Sequence, residues 1–319
     1  MRDRNIGRRD FLQRAGLAAL GAGTIASVPS QAQEAVPNST GTELPKLKAP
    51  AIACDCHHHI YDSERFPPVQ PGTVANARVS DYRLLQRRIG TQRDVVVTPS
   101  PYGTDNRVTL DAISQLGPNA RGVAVIHPDI KDAELDALMR GGIRGVRCSV
   151  AANPTSVAAT TFDMIEPLSK RVNPLGWHVQ INMDADQIAA SEDLWMRLPS
   201  PIVFDHAGHA ISTKHPAYTV IRRLIDKGRT WVKLSVTFDN SKVGPPTYAD
   251  LTEVAQAFVR AAPERMVWGS NWPHPNDRVK PDDALVFDLL SQWAPDEKTR
   301  HRILVENPQI LYGFAPSRL

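Results

Sequence analysis

Ala51-Ile52-Ala53-Cys54-Asp55-Cys56-His57-His58-His59 is the stretch on which the reading of this 319-residue chain turns. Its apolar start reads as a buried strand, and it ends in an Asp-x-His-x-His pattern. Alternate residues of a strand share a face, so His57 and His59 point together into whatever lies beyond the strand end. Two converging imidazoles either hold a metal or act as a proton donor and acceptor pair.

Outward from that stretch, short β-rich runs alternate with longer helical patterns. Strands are expected at residues 51–55, 94–98, 122–127, 143–148, 177–183, 202–206, 231–235 and 265–270. Helical patterns fall between them at 81–88, 106–116, 132–139, 161–173, 185–197, 215–227 and 248–261, and two more, 282–293 and 296–306, close the chain. Buried strands separated by helices belong to a parallel sheet. Eight such units predict a single-domain α/β protein, a (β/α)8 TIM barrel, over residues 51–319. An open doubly wound sheet is the competing arrangement, but no glycine-rich phosphate loop follows the first strand.

In a barrel the chemistry collects at the C-terminal strand ends. Those ends carry His57, His59, Ser100, His127, Arg147, Asn182, His206, Ser235 and Asn271. Within the fifth strand His178, Gln180 and Asn182 alternate with Val179, Ile181 and Met183. The polar set is therefore expected inside the barrel and the apolar set against the helices.

Residues 1–32 read as a leader. Arg8-Arg9-Asp10-Phe11-Leu12 is a twin-arginine pattern, an apolar stretch follows, and Ser30-Gln31-Ala32 offers a cleavage site. A twin-arginine leader is a receptor-read address, so a soluble periplasmic product and a transient partnership with the twin-arginine export machinery are expected. The leader holds five of the 37 basic and two of the 34 acidic residues, which leaves 32 of each. That balance points to no nucleic-acid or anionic-membrane partner. Residues 33–50, rich in Pro, Ser, Thr and Asn, read as a flexible linker. Cys54, Cys56 and Cys148 read as buried thiols rather than a disulfide.

Seven segments run in order through nearly the whole of the chain after the leader. They are Asp55-Cys56-His57-His58-His59, Pro99-Ser100-Pro101-Tyr102-Gly103-Thr104-Asp105-Asn106, Gly142-Ile143-Arg144-Gly145-Val146-Arg147, Asp205-His206-Ala207-Gly208, Val232-Lys233-Leu234-Ser235, Trp268-Gly269-Ser270-Asn271-Trp272-Pro273-His274-Pro275, and Asn307-Pro308 through Leu311-Tyr312-Gly313. Together they resemble the amidohydrolase superfamily, in particular the branch with 2-pyrone-4,6-dicarboxylate hydrolase, sugar-acid lactonases and galactarolactone isomerase. The resemblance implies a catalytic set of His57, His59, His206 and Asn271. It also implies that Arg147 meets a substrate carboxylate, a task for which a planar guanidinium fork is suited. Ser100, Tyr102, His178, Gln180, Asn182 and Ser235 are expected to line the substrate. Arg144 is expected to be structural, and His127, His209 and His274 to orient neighbours.

The chain departs from the pattern at the eighth strand, where many relatives place an aspartate that acts as general base. Asn271 stands there instead and takes up no proton near neutral pH. Two enzyme readings remain. Either a lactone is hydrolysed with a histidine, Asp239 or Asp277 as substitute base, or a substrate hydroxyl attacks the lactone carbonyl and exchanges one ring for another. The segments after Arg147 and Ser235 add no further arginines, which suits a sugar-acid lactone better than a polycarboxylated planar ring. The branch implies catalysis without a cofactor; a divalent ion such as zinc, held by His57, His59 and His206, is the alternative. Outside lactone chemistry stand a metal-dependent amidohydrolase or decarboxylase, and a periplasmic sugar-acid binding protein that has lost its chemistry.

Overall fold

The structure, a computed structural model, describes residues 34–69, 75–150, 159–235 and 241–316. The expected leader, Asp239 and the segments directly after Val150 and Ser235 lie outside the described residues. Eight strands, β1 (Cys54–His58), β2 (Arg93–Val97), β3 (Ala120–Ala124), β4 (Ile143–Ser149), β5 (His178–Asn182), β6 (Ile202–Phe204), β7 (Thr230–Leu234) and β8 (Met266–Trp268), pair in chain order, all parallel. Beyond the strand ends, the Asn271 N–H donates to the His57 carbonyl and the His59 N–H to the Trp272 carbonyl, both at 2.8 Å, so the sheet comes round on itself as a barrel. Gly269 permits that approach: a Cβ there would stand 2.6 Å from the Cβ of His57.

The helices are α1 (Val79–Ile89), α2 (Arg107–Leu116), α3 (Asp132–Arg140), α4 (Ile165–Val172), α5 (Ala185–Ala190), α6 (Glu192–Arg197), α7 (Pro216–Asp226), α8 (Ala249–Ala261), α9 (Asp283–Trp293), α10 (Glu297–His301) and α11 (Asn307–Tyr312). The stretch expected as one helix over 185–197 breaks at Ser191, whose hydroxyl donates to the Gln187 carbonyl at 2.7 Å and competes with the helical ladder. The pattern over 296–306 likewise divides, through a wide π turn at Arg302–Glu306.

Two apolar layers hold the barrel. Outward residues such as Val146, Val179, Ile181, Phe204 and Val232 pack with Leu168, Ile221, Phe258 and Phe287 of the helices. Inside, Cys54, Cys56, Val95, Val97, Val123, Val203 and Val267 pack with Tyr312 and Phe314, which fill the barrel floor. Each such side chain contributes about 1.5–3 kcal/mol by leaving water. All three cysteines are buried free thiols, as the sequence suggests.

Simple alternation fails in β1, and the failure builds the site. The pairing with β2 shifts between Asp55 and His58, a bulge in the strand. Cys54 and Cys56 face inward below it, while Asp55 meets α1 and the turn after β8, accepting from the Tyr82 hydroxyl at 3.0 Å and the Ser270 hydroxyl at 2.6 Å. A bulge re-aims the residues that follow. His57 and His59 accordingly turn into the barrel, and His58 turns out to stack on Tyr82 with ring centroids 3.6 Å apart.

Within residues 34–50, the stretch expected as a flexible linker lies along the barrel instead. Val36 is buried, the Trp272 indole donates to the Pro37 carbonyl at 2.8 Å, and the Leu47 N–H donates to Asp288 at 2.7 Å. Arg88 spans this segment and α9, donating to the carbonyls of Thr40 and Glu43 and to Asp282 at 2.6 Å. Composition alone hides such an arrangement, because the bonds run from backbone groups to distant partners. Among the described residues no helix is long and apolar enough to cross a membrane.

Candidate active site

Five strands deliver a buried polar cage to the barrel's C-terminal half. Asp205, one residue past β6, is its hub. The Arg147 Nε of β4 donates to Asp205 Oδ2 at 3.0 Å and the Gln180 side-chain amide of β5 donates to the same oxygen at 2.9 Å. Asp205 Oδ1 lies 3.3 Å from His57 Nδ1 and 3.7 Å from Lys233 Nζ of β7. Lys233 also donates to Gln180 Oε1 at 2.7 Å and lies 3.3 Å from His57 Nδ1. The Nε2 atoms of His57 and His59 face each other at 3.2 Å, and His59 Nδ1 meets the Val97 carbonyl at 2.8 Å. No other hydrogen bond holds the Arg147 terminal nitrogens among the described residues, so they remain available to a ligand.

His206 completes the cage from above. Its Nδ1 lies 2.9 Å from the Ser235 hydroxyl, and its ring centroid stands 5.0 Å from that of His57. The chain after β6 makes this reach by an unusual route. His206, Ala207, Gly208 and His209 all have positive φ, between 51° and 65°. Left-handed non-glycine residues cost roughly 1–2 kcal/mol each, and such strain persists where the surroundings hold it in place. Here His209 is held by Asn182, whose Oδ1 lies 2.9 Å from His209 Nε2 and whose amide nitrogen donates to Ser149 at 2.8 Å. Asn271 is left-handed too, with φ 64°, and its backbone is fixed by the bond to His57.

Burial decides the protonation states. It holds His57 well below the usual histidine range, reinforced by the Lys233 charge and opposed by Asp205. Burial, then the Arg147 charge, brings His59 down to about 3. His206 is pushed well below its ordinary value by burial, although Asp205 pulls the other way. Burial also works against the Asp205 charge, but His57, Lys233 and Arg147 outweigh it and keep the carboxyl well below its ordinary value. Lys233 is brought down to about 8 by burial, against the pull of Asp205. At neutral pH the site is thus an ionised carboxylate, two cations and neutral imidazoles, each with one N–H and one lone pair.

A barrel of this topology with histidines ending β1 and β6 has a clear kinship. A model of the amidohydrolase family matches residues 54–314. The chain belongs to the amidohydrolase family. It is 34% identical over 284 residues to a 2-pyrone-4,6-dicarboxylate hydrolase of Comamonas testosteroni, covering 84% of this chain and 92% of that protein. It is 30% identical over 295 residues to a D-galactarolactone isomerase of Agrobacterium fabrum, covering 89% and 98%. The apo crystal structure of Agrobacterium tumefaciens ATU3138 superposes with a TM-score of 0.79 at 30% identity, over 86% of this chain and all of that one.

Many amidohydrolases hold metal, so the donor set matters. Among the described residues one group has metal-ligand spacing: His57, Asp205 and His206, with ligand atoms all within 4.8 Å of one another. It differs from the histidine trio expected from sequence by taking Asp205 in place of His59. This set does not fit a divalent ion. Its carboxylate, Asp205, is already shared by an ammonium and a guanidinium, and position 271 supplies a neutral amide. Bringing a dication into that dry, already cationic cage sets like charges against each other at short range.

The amidohydrolase cage unites His57, His59, His206, Arg147, Gln180 and Ser235, with Asn271 alongside through its backbone. Other expected residues stand elsewhere. His178 lies below Gln180, its ring edge-on to Tyr312 at 5.4 Å and filling the space that Gly145 leaves open. Ser100 is exposed on a short turn after β2. The Tyr102 hydroxyl accepts the Asp62 N–H at 3.0 Å, which ties down the loop beside Tyr61. Asn182 has both ends of its amide occupied, as described. His127 meets the Ala159 carbonyl at 2.8 Å on the outside, and His274 pairs with Asp283 at 3.0 Å. Arg144 caps the carbonyls of Met139 and Ile143, the structural place expected of it.

Sequence reasoning passed over Asp205, Lys233 and Tyr61. Two of them were legible: Lys233 lies two residues before Ser235 and so shares its face, and Asp205 shares the inward face of Val203. Tyr61, whose ring lies 6.3 Å from that of His59, comes from a loop with no such signal.

Proposed function

We propose that this amidohydrolase acts on the ester bond of a sugar-acid (aldaric) lactone and exchanges one lactone ring for another, with a hydroxyl of the substrate as nucleophile. The observation that carries the isomerase reading is the fate of the carboxylates. Among the described residues Asp205 is the carboxylate of the cage, and its charge is bound to Arg147, Lys233 and His57, which makes it a poor base. Asp277 lies 3.9 Å from His274 Nδ1, and Asp239 lies outside the described residues. Asn271 occupies the place where a water-activating aspartate is expected. An internal hydroxyl needs less from the protein, since enforced proximity replaces the second reactant's lost freedom.

In this reading Arg147 anchors the substrate carboxylate with its two terminal nitrogens. The attacking hydroxyl adds to the lactone carbonyl and gives its proton to an imidazole of the His57, His59 and His206 group. The tetrahedral adduct then expels the ring oxygen, which takes a proton back from the same group, so no proton is gained or lost overall. The Asn271 amide, without a side-chain partner among the described residues, is suited to hold the hydroxyl or the carbonyl oxygen. Hydrolysis is the second reading, favoured by the relative at 34% identity whose name is that of a hydrolase. Three imidazoles able to transfer protons, and an arginine fork without a partner among the described residues, speak for turnover rather than mere binding. The twin-arginine pattern at Arg8-Arg9 supports a periplasmic location for this chemistry.

A panel comparing hydroxylated aldarolactones with 2-pyrone-4,6-dicarboxylate, followed by NMR, tests the substrate class. Faster turnover of the pyrone would overturn it. Cell fractionation with an antibody to the barrel tests the location; a cytoplasmic pool alone would contradict it.

A further inference from the structure

Lys233 takes no part in the steps just described, yet it is fully buried and makes three contacts within the cage. Its neighbours determine what it does. The Val97 carbonyl accepts only, so the His59 Nδ1 opposite it, 2.8 Å away, carries the hydrogen. Neutral His59 therefore presents a lone pair on Nε2. His57 Nε2 faces that lone pair at 3.2 Å and makes a hydrogen bond only when it is itself protonated. His57 Nδ1 must then be the acceptor.

Two groups compete for that nitrogen at the same distance, 3.3 Å: Asp205 Oδ1, which asks for a donor, and Lys233 Nζ, which offers one. The Lys233 ammonium donates to Gln180 Oε1 at 2.7 Å, faces His57 Nδ1 at 3.3 Å, and lies at ion-pair distance, 3.7 Å, from Asp205 Oδ1. Gln180 is oriented to match, its oxygen toward Lys233 and its nitrogen toward Asp205 at 2.9 Å. One assignment satisfies these three contacts: Lys233 to His57 Nδ1, His57 Nε2 to His59 Nε2, His59 Nδ1 to Val97. Asp205 Oδ1 is then balanced by the Lys233 charge at 3.7 Å rather than by a hydrogen bond. Without the ammonium, His57 donates through Nδ1 to Asp205, and two lone pairs oppose each other at the Nε2 contact.

We propose that Lys233 is a positioning residue that locks His57 in its Nε2–H tautomer, making His57 the proton donor of the cage toward the leaving ring oxygen. The tautomer assignment stands on geometry alone; its catalytic consequence rests on the lactone reading above. The other charged or titratable groups near enough to act on Lys233 or be acted on by it are Arg147 of β4, Cys56 and Asp55 of β1, His178 of β5 and His206 beyond β6.

Histidine 15N shifts of the ligand-free full chain at neutral pH test the lock, with His57→Gln to assign the His57 signals. In the wild type the shift of His57 Nε2 is expected to be that of a protonated ring nitrogen and the shift of Nδ1 that of an unprotonated one. In Lys233→Met the pattern is expected to invert, with kcat on the lactone down about a hundredfold or more and KM little changed. A wild-type spectrum with the proton on Nδ1 overturns the proposal whether or not the variant folds. The same pattern in both proteins overturns it as well. A locked tautomer in a protein that turns over no lactone would leave the lock standing and sink the lactone reading instead.

Discussion

Replacing Arg147 by Met separates substrate anchoring from every other role this residue has. In the structure one guanidinium nitrogen serves Asp205, at 3.0 Å, while the two terminal nitrogens have no partner among the described residues. If both terminal groups meet a substrate carboxylate, two charge-assisted hydrogen bonds are lost with the side chain. At roughly 1.5–3 kcal/mol each, the loss is about 3–6 kcal/mol, or roughly 10²- to 10⁴-fold in kcat/KM. Asp205 keeps Lys233, Gln180 and His57, so the fold is expected to survive, and circular dichroism checks that. The assay is a cycle: wild type and Arg147→Met, each on an aldarolactone and on the matching lactone with its carboxylate reduced to an alcohol. The account requires the variant's deficit to fall at least tenfold on the neutral substrate. An equal deficit on both substrates would refute the reasoning, because Arg147 would then act through Asp205 alone.

Other outcomes follow from the same geometry. Asn271→Asp installs a proton acceptor beside His57, and open-chain acid is expected to appear among its products by NMR; an unchanged product ratio would argue against position 271 as the determinant of reaction type. Dialysis against a chelator is expected to leave kcat within about twofold of its starting value. Activity lost on dialysis and restored by zinc would show that the cage accepts a dication after all. Stability should fall in mild acid. His59 and His178 are both held down to about 3, chiefly by burial, against about 6.5 when unfolded. Depressed values mean the stabilisation is complete above pH 6.5 and is lost as pH falls toward 3, at roughly 3 kcal/mol per pH unit for the pair. Urea midpoints at pH 7 and pH 5 read this directly, and a flat profile would contradict the buried neutral imidazoles.

Much of this protein was legible in its sequence, for physical reasons that also mark where legibility ends. Periodicity found all eight strands, because a barrel strand must be apolar toward the helices whatever it carries inside. It found the polar face of β5 for the same reason. It did not find the β1 bulge, which leaves no trace in composition yet brings Cys56 and His57 to one side of the strand. The left-handed turn from His206 to His209 was equally hidden, since only one of its four residues is a glycine. Lys233 was overlooked although its parity with Ser235 was plain. An ammonium inside a barrel goes against expectation until the balancing carboxylate, Asp205, is seen at 3.7 Å. Residues 34–50 looked like a tether because their partners, among them Arg88 and Asp288, are far away in the chain.

Turnover in oxygen-18 water tests the central claim most directly. The purified protein is given an aldarolactone in labelled water, and the products are read by mass spectrometry and NMR. An internal hydroxyl nucleophile predicts a rearranged lactone of unchanged mass. An open-chain acid carrying the heavy oxygen as the main product would mean that water is the nucleophile, and that the cage activates it without an aspartate at position 271.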